Sequence, residues 1–238
     1  MLKINGIEFN SADYLLVDVG DIQTAKKRVV ETVDIYGANG SYVVHDEGYE
    51  SSERELTISV KEFDKISKLR SAFKDFDNIL EFDYISDSKY IANFIEMKYA
   101  RQGKSRWLVT IKLVFDPFRY ALDSGVVTLG SNGSVENIGD VFSEPIIEIE
   151  GTGDVTLTIG DQVMVLNITG NKVKIDCRHK KQNIYDNNGY PKNSWRVRGG
   201  FFEIQPGTQG VRTIGSVSKV KIYGNWRCDL SKGGVNPS

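Results

Sequence analysis

Residues 107–120 read Trp-Leu-Val-Thr-Ile-Lys-Leu-Val-Phe-Asp-Pro-Phe-Arg-Tyr, and the opening of that stretch alternates as a strand does. Trp107, Val109, Ile111 and Leu113 fall on one side, with Leu108, Thr110, Lys112 and Val114 on the other. That is the two-residue period of a pleated backbone. Pro117 stops it, because proline brings no donor to a ladder and drives the preceding Asp116 towards extended backbone. Similar patterns recur earlier, at 13–19, 27–33, 54–61, 78–84 and 90–97, and Met1–Phe9 reads as an amphipathic first strand with Leu2, Ile4 and Phe9 inward. One stripe is helical instead. Phe63, Ile66, Leu69, Arg70, Phe73 and Phe76 follow i, i+3, i+4 spacing, with Lys65, Lys68, Lys74 and Asp75 opposite and Asp64 or a neighbour as cap. With nothing else helical nearby, the stripe must cover a sheet. Residues 1–123 are therefore predicted to form a β-sandwich with one covering helix.

Between Ile35 and Glu53 the pattern lapses into Tyr36-Gly-Ala-Asn-Gly-Ser-Tyr-Val-Val-His-Asp-Glu-Gly-Tyr49. This is too long for a tight hairpin turn and too aromatic for an idle linker. Two readings stand: an ordered surface loop, or an arm that packs on another subunit through Tyr36, Tyr42, Val43, Val44 and Tyr49.

After Tyr120 no helical periodicity follows. Short strand patterns at 126–129, 146–150, 155–159, 162–168 and 172–176 are separated by Gly130, Gly151-Thr-Gly153, Gly160-Asp161 and Gly170-Asn171. Later turn signals at Asn187-Asn-Gly189, Pro206-Gly207 and Gly215 bound patterns around 200–204, 211–214 and 218–226. That rhythm predicts a second, all-β sandwich over 124–230. The tail, 231–238, reads as disordered.

Composition narrows the function. Residues 1–122 carry 17 basic and 20 acidic side chains and residues 123–238 carry 13 and 12, so neither half is a polyelectrolyte made for phosphate backbones. No apolar run reaches the roughly 20 residues that cross a bilayer, and the start lacks a signal peptide's h-region, so folding in a cytoplasm is expected. Without a secretion signal the acceptor tripeptides at Asn39, Asn132 and Asn167 carry little weight. Cys177 and Cys228 are too few for a disulfide framework and read as buried free thiols. His45 and His179 have no spaced partner, so no zinc site is expected. An EF-hand loop begun at Asp75 would put Leu80 and Ser86 where Gly and Glu are required. No nucleophile elbow, Walker or dinucleotide pattern occurs. No catalytic, cofactor or metal residue is assigned.

The strand closed by Asp116-Pro-Phe-Arg-Tyr120, about halfway along the chain, resembles the end of the first domain in distal tail proteins (Dit), hub proteins of long-tailed phages and prophages of Gram-positive bacteria. The resemblance continues through Asn137-Ile-Gly139, Ser143-Glu-Pro-Ile-Ile-Glu-Ile-Glu-Gly151, Phe201-Phe-Glu-Ile-Gln-Pro-Gly207, Gly215 and Lys219-Val-Lys-Ile-Tyr-Gly-Asn-Trp226. It covers about residues 1–228 in order, with the helix in place. It implies a tail-tube-like first domain and a galectin-like second one.

It further implies a non-enzymatic homohexameric ring at the virion tail tip, assembled in the host cytoplasm. Such a ring joins the major tail protein to the tail-associated lysin or hub protein and, in some phages, holds receptor-binding proteins. The rival reading is a carbohydrate-binding tail module that stacks cell-wall sugars on Tyr185, Tyr190, Trp195 and Trp226. Against it, no clustered His, Asn and Arg of a galectin-type site is evident, and both tryptophans suit a sandwich core. A third reading is a baseplate protein of a contractile tail or tail-derived bacteriocin.

Overall fold

The computed structural model describes residues 1–9, 12–37, 39–85 and 87–230; the tail expected to be disordered lies outside them. The chain divides into two compact units, Met1–Arg119 and one that starts at Tyr120. Among the described residues the fold is mainly β, with antiparallel sheets and one α-helix.

The first unit runs β1 (Leu2–Ile4), β2 (Ile7–Phe9), β3 (Tyr14–Asp18), β4 (Lys26–Asp34), β5 (Ser41–Glu50), β6 (Ser52–Val60), α1 (Asp64–Ser71), β7 (Asn78–Phe82), β8 (Ser88–Gln102) and β9 (Arg106–Phe115). Its main sheet has the order β2-β1-β7-β8-β9-β6-β3. The sheet curls until its outer strands meet, where Phe9 of β2 stands edge-on to Tyr14 of β3 with ring centres 4.8 Å apart. Leu56, Ile58 and Val60 of β6 lie opposite Ile111, Val109 and Trp107 of β9, and all but Trp107 are buried. The alternation read along 107–114 is therefore the core face of a central strand.

Helix α1 is shorter than its apolar stripe. Ile66 and Leu69 are buried, but Phe73 is buried just beyond the helix, against Phe94, and Phe63 and Phe76 are exposed. Asn78 supplies the reason. Fully buried, its amide accepts from Lys74 N–H at 2.7 Å and donates to the carbonyls of Lys74 and Ala92, which turns the chain away from the helix axis. Nor does Asp64 cap the start; Phe63 holds that position with no side-chain bond.

Strand β10 (Arg119–Ala121) spans the division. The second unit continues with β11 (Val126–Leu129), β12 (Asn132–Asn137), β13 (Ile146–Ile159), β14 (Gln162–Ile168), β15 (Lys172–Asp176), β16 (Asn183–Asp186), β17 (Arg196–Arg198), β18 (Gly207–Tyr223) and β19 (Arg227–Cys228), with a 3-10 turn at Asn193–Trp195.

Here glycines read as turns prove to be bends inside continuous strands. Gly151-Thr-Gly153 lies within β13 and Gly215 within β18. The two strands pair along both their halves, with irregular register between Glu150 and Thr156, where β13 holds extra residues against Gly215. Gly215 has φ +112°, and a Cβ there would stand 2.2 Å from the Asp154 carbonyl oxygen, so only glycine fits the corner. Beyond the bend the partners change. The first half of β13 pairs with β15 and the second with β14. One hydrogen-bonded sheet thus folds into two layers, and Ile147, Ile149, Val173, Ile175, Val220 and Ile222 share a core with Val155, Leu157, Met164, Leu166 and Val211. Strand β12, between the patterns read at 126–129 and 146–150, pairs with the first half of β18.

Candidate interaction surfaces

Strands β4 and β5 stand apart as a two-stranded sheet of their own. The segment expected to be a loop or an arm is therefore half of a long hairpin, Lys26 opposite Glu50 and Asp34 opposite Ser41. All nine residues of β4 are exposed. Tyr36 at the turn is fully exposed, Tyr42 and Val43 are exposed, and Val44 is half-buried. Tyr49 sits at the root, its ring edge-on to Phe118 with centres 4.7 Å apart. The five arm candidates thus divide into four along the projecting part and one anchor. Val29, Val30, Val33 and Ile35 add to the exposed apolar surface.

An isolated two-stranded hairpin is at best marginally stable in water. This one is held near its root by Lys26–Glu50 at 2.8 Å and Arg28–Asp46 at 3.2 Å, exposed ion pairs of the kind worth at most about 1 kcal/mol each. Beside the root lies a polar cleft of about 190 Å³ lined by Gln23, Lys26, Glu50, Ser52, Glu53 and Pro117.

The four aromatics of the sugar platform do not form one surface. Trp226 is 2% exposed and Trp195 8%, both within the core of the second unit. Trp226 donates its indole N–H to the Ser124 carbonyl at 3.0 Å, while Gly170 lies against the Trp195 ring. Tyr185 is half-buried on β16, and only Tyr190, 65% exposed beside the Asn187–Gly189 turn, is open to a ligand. A ring sealed in a core has no free face for a pyranose, so the pair of tryptophans is withdrawn from that site.

His179, exposed in the turn after β15, lies between two carboxylates. Its Nδ1 lies 3.0 Å from Glu144 Oε1 and its Nε2 3.0 Å from Glu203 Oε1. Glu144 also accepts from the buried Arg227 at 2.7 Å and from the His179 backbone at 3.0 Å. Nothing local in sequence marks this cluster, since its partners lie from 24 residues apart (His179 and Glu203) to 83 (Glu144 and Arg227). The neighbouring Asp176 is held by both arms of Arg178, at 2.8 and 2.6 Å. Burial pushes the Asp176 carboxyl up, but the Arg178 guanidinium more than reverses this and leaves it below its ordinary value. Cys177 and Cys228 are buried free thiols, and burial pushes Cys177 up to about 12. Among the described residues no group of three or more His, Cys, Asp or Glu is arranged to hold a metal ion.

No protein-family model matches this chain, and no curated protein does. Solved structures do. The chain is similar to the Dit protein of phage SPP1, described as a paradigm of the hub adsorption apparatus in phages that infect Gram-positive bacteria. The TM-score is 0.65 and the identity 14%, over 93% of this chain and 96% of that one. It is also similar to a chain of the phage P2 baseplate in its activated, calcium-containing conformation, with TM-score 0.50, 8% identity, and coverage of 89% and 90%. The fold is thus Dit-like along nearly its whole length.

Proposed function

We propose that this chain is a structural, non-enzymatic hub protein of a phage tail tip. The observation that carries the proposal is the extent of the likeness: both units, in order, across 93% of the chain. In this reading six copies form a ring that joins the major tail protein to the tail-associated lysin or hub protein, with the second, galectin-like domains available to hold receptor-binding proteins. The domains are taken as 1–123 and 124–230. A ring needs surface rather than catalytic groups, and the β4–β5 hairpin supplies apolar surface that its own unit leaves uncovered.

Light scattering on the purified protein tests the reading. It should give about six times the 26.7 kDa chain mass at high concentration, through a concentration-dependent equilibrium. Monomers at every concentration, alone and with tail-tube protein added, would remove the ring.

A further inference from the structure

The first unit carries a second hairpin tip, formed by the far ends of β8 and β9 within the main sheet, where Lys98–Gln102 are all exposed. Between Lys98 and Arg106 lie four cations (Lys98, Arg101, Lys104, Arg106) and no acid. Glu96 pairs with Lys98 at 2.8 Å, and Glu62 and Asp64 flank Phe63 in the chain. On this basic tip sits an aromatic shelf. The Phe63 ring lies 5.6 Å from Tyr99 and 5.0 Å from Trp107, centre to centre, and Phe63 and Tyr99 are each 52% exposed. The outer part of the β4–β5 arm has the opposite character. From Val29 to His45 it holds Glu31 and Asp34 and neither lysine nor arginine, among the exposed Val29, Val30, Val33, Ile35, Tyr36, Tyr42 and Val43.

Strand register fixes where the two hairpins leave the unit. Strand β5 ends at Glu50 and β6 begins at Ser52, whose partner across the ladder is Phe115, the last residue of β9. The arm therefore springs from the Phe115 end of β9. The basic tip is at the Arg106 end, where Gln102 pairs with Arg106. At about 3.3 Å per residue, the nine steps between those ends span roughly 30 Å. An acidic apolar arm at one pole and a basic aromatic shelf at the other form the two halves of a heterologous, head-to-tail contact between identical chains.

We propose that the β4–β5 arm of one copy docks on the Phe63–Tyr99–Trp107 shelf of the next. Glu31 and Asp34 then face Arg101 and Lys104, which lie with the rings because Arg101 pairs with Trp107 and Lys104 is at the turn, and Tyr36 or Tyr42 lies against the aromatic rings. The proposal rests on self-assembly and adds its geometry. Apolar contact supplies most of the attraction, while opposite charge sets direction, because arm on arm or shelf on shelf brings like charges together. A second copy fits better than a nucleic acid, since the acidic arm would repel phosphate.

Charge reversal on the intact chain, read by light scattering and thermal melts, tests the pairing. Glu31→Lys with Asp34→Lys should reduce association at least about tenfold while leaving the melting of the dissociated protomer unchanged. Arg101→Glu with Lys104→Glu should do the same. Mixing the two variants should restore association, because each arm then meets a shelf of opposite charge on the other variant, and combining the four reversals in one chain should restore it too. If the unaltered chain assembles and either reversal leaves its mass intact, the docking is wrong and the ring reading stands. A second measurement holds even for a chain that stays monomeric. Tyr36→Cys protein mixed with Tyr99→Cys protein under mild oxidation should give mixed disulfides several-fold faster than Tyr36→Cys with Asn188→Cys in the second unit. Equal rates would overturn the docking whatever the mass.

Discussion

The β4–β5 arm and the β13–β18 pair are both long antiparallel ladders, yet they spend their apolar residues in opposite directions. In β13 and β18, Ile147, Ile149, Val155, Leu157, Val220 and Ile222 are closed inside two layers, while Glu148 and Glu150 face outward to Lys172 and Lys219. In the arm, valines and tyrosines of the same β-favouring kind stand in solvent. Strand propensity is therefore no guide to what a strand is buried against. A protomer's stability should reside in the β13–β18 ladder, and its capacity to assemble in the β4–β5 arm.

Core substitutions should produce the largest effect. Trp226→Ala removes a ring that is 2% exposed and whose indole is bonded to Ser124. It should cost about 3–5 kcal/mol in chemical denaturation, a large part of a typical domain's roughly 5–15 kcal/mol. A loss below about 1 kcal/mol, together with lost binding to cell-wall polysaccharide, would restore the lectin-like reading.

The corner comes next. Gly215→Val places a β-branched side chain at φ +112° and drives its Cβ into the Asp154 carbonyl. The backbone strain alone is on the order of 1–3 kcal/mol, and the urea midpoint should fall accordingly. An unchanged midpoint would show that the bend relaxes, and that the two layers do not depend on one fixed corner.

These two sites show what sequence can and cannot disclose. Alternation along 107–115, 162–168 and 172–176 marked strands because each has one face in a core, and a buried face selects residue type at every second position. It broke down at Gly151, Gly153 and Gly215, since a glycine that bends a strand and one that ends it look alike in one dimension. Only the pairing of β13 with β18 on both sides of the corner tells them apart. The helix was overextended because Phe73 keeps the stripe's spacing although Asn78 has already turned the chain. Tyr36, Tyr42 and Val43 were legible as unusual for a loop, but the strand they extend pairs with residues read separately at 27–33. The shelf was illegible: Phe63 lies beside Tyr99 and Trp107 only after β8 and β9 are in register.

Acid should act on the second unit through Asp176. Its carboxyl sits below the ordinary 3.8 in the folded chain. The stabilisation from its Arg178 pair is thus complete above that value and is lost as pH falls through the depressed one. Melting of the unaltered protein should lose ground below about pH 4, the ordinary Asp range. Asp176→Asn, already without the ion pair, should show a shallower decline in that window. Identical slopes would place the acid sensitivity elsewhere.

The smallest effect on the protomer belongs to the arm, and it is the most direct challenge to the contrast with β13 and β18. Tyr36 is fully exposed and Val30 is 60% exposed, so Tyr36→Ser and Val30→Thr remove no packing from their own unit. Surface substitutions away from caps and networks stay within about 0.5 kcal/mol. That limit should hold for both variants when melting is measured at concentrations where the unaltered protein is dissociated, because binding between copies would otherwise add its own stabilisation. At high concentration the same variants should differ from the unaltered chain in mass, since Tyr is among the residues that most often dominate an interface. Were Tyr36→Ser to cost more than about 1 kcal/mol in the dilute protomer, the arm would be folded onto its own unit. The division between a ladder that stabilises and a ladder that assembles would then fail.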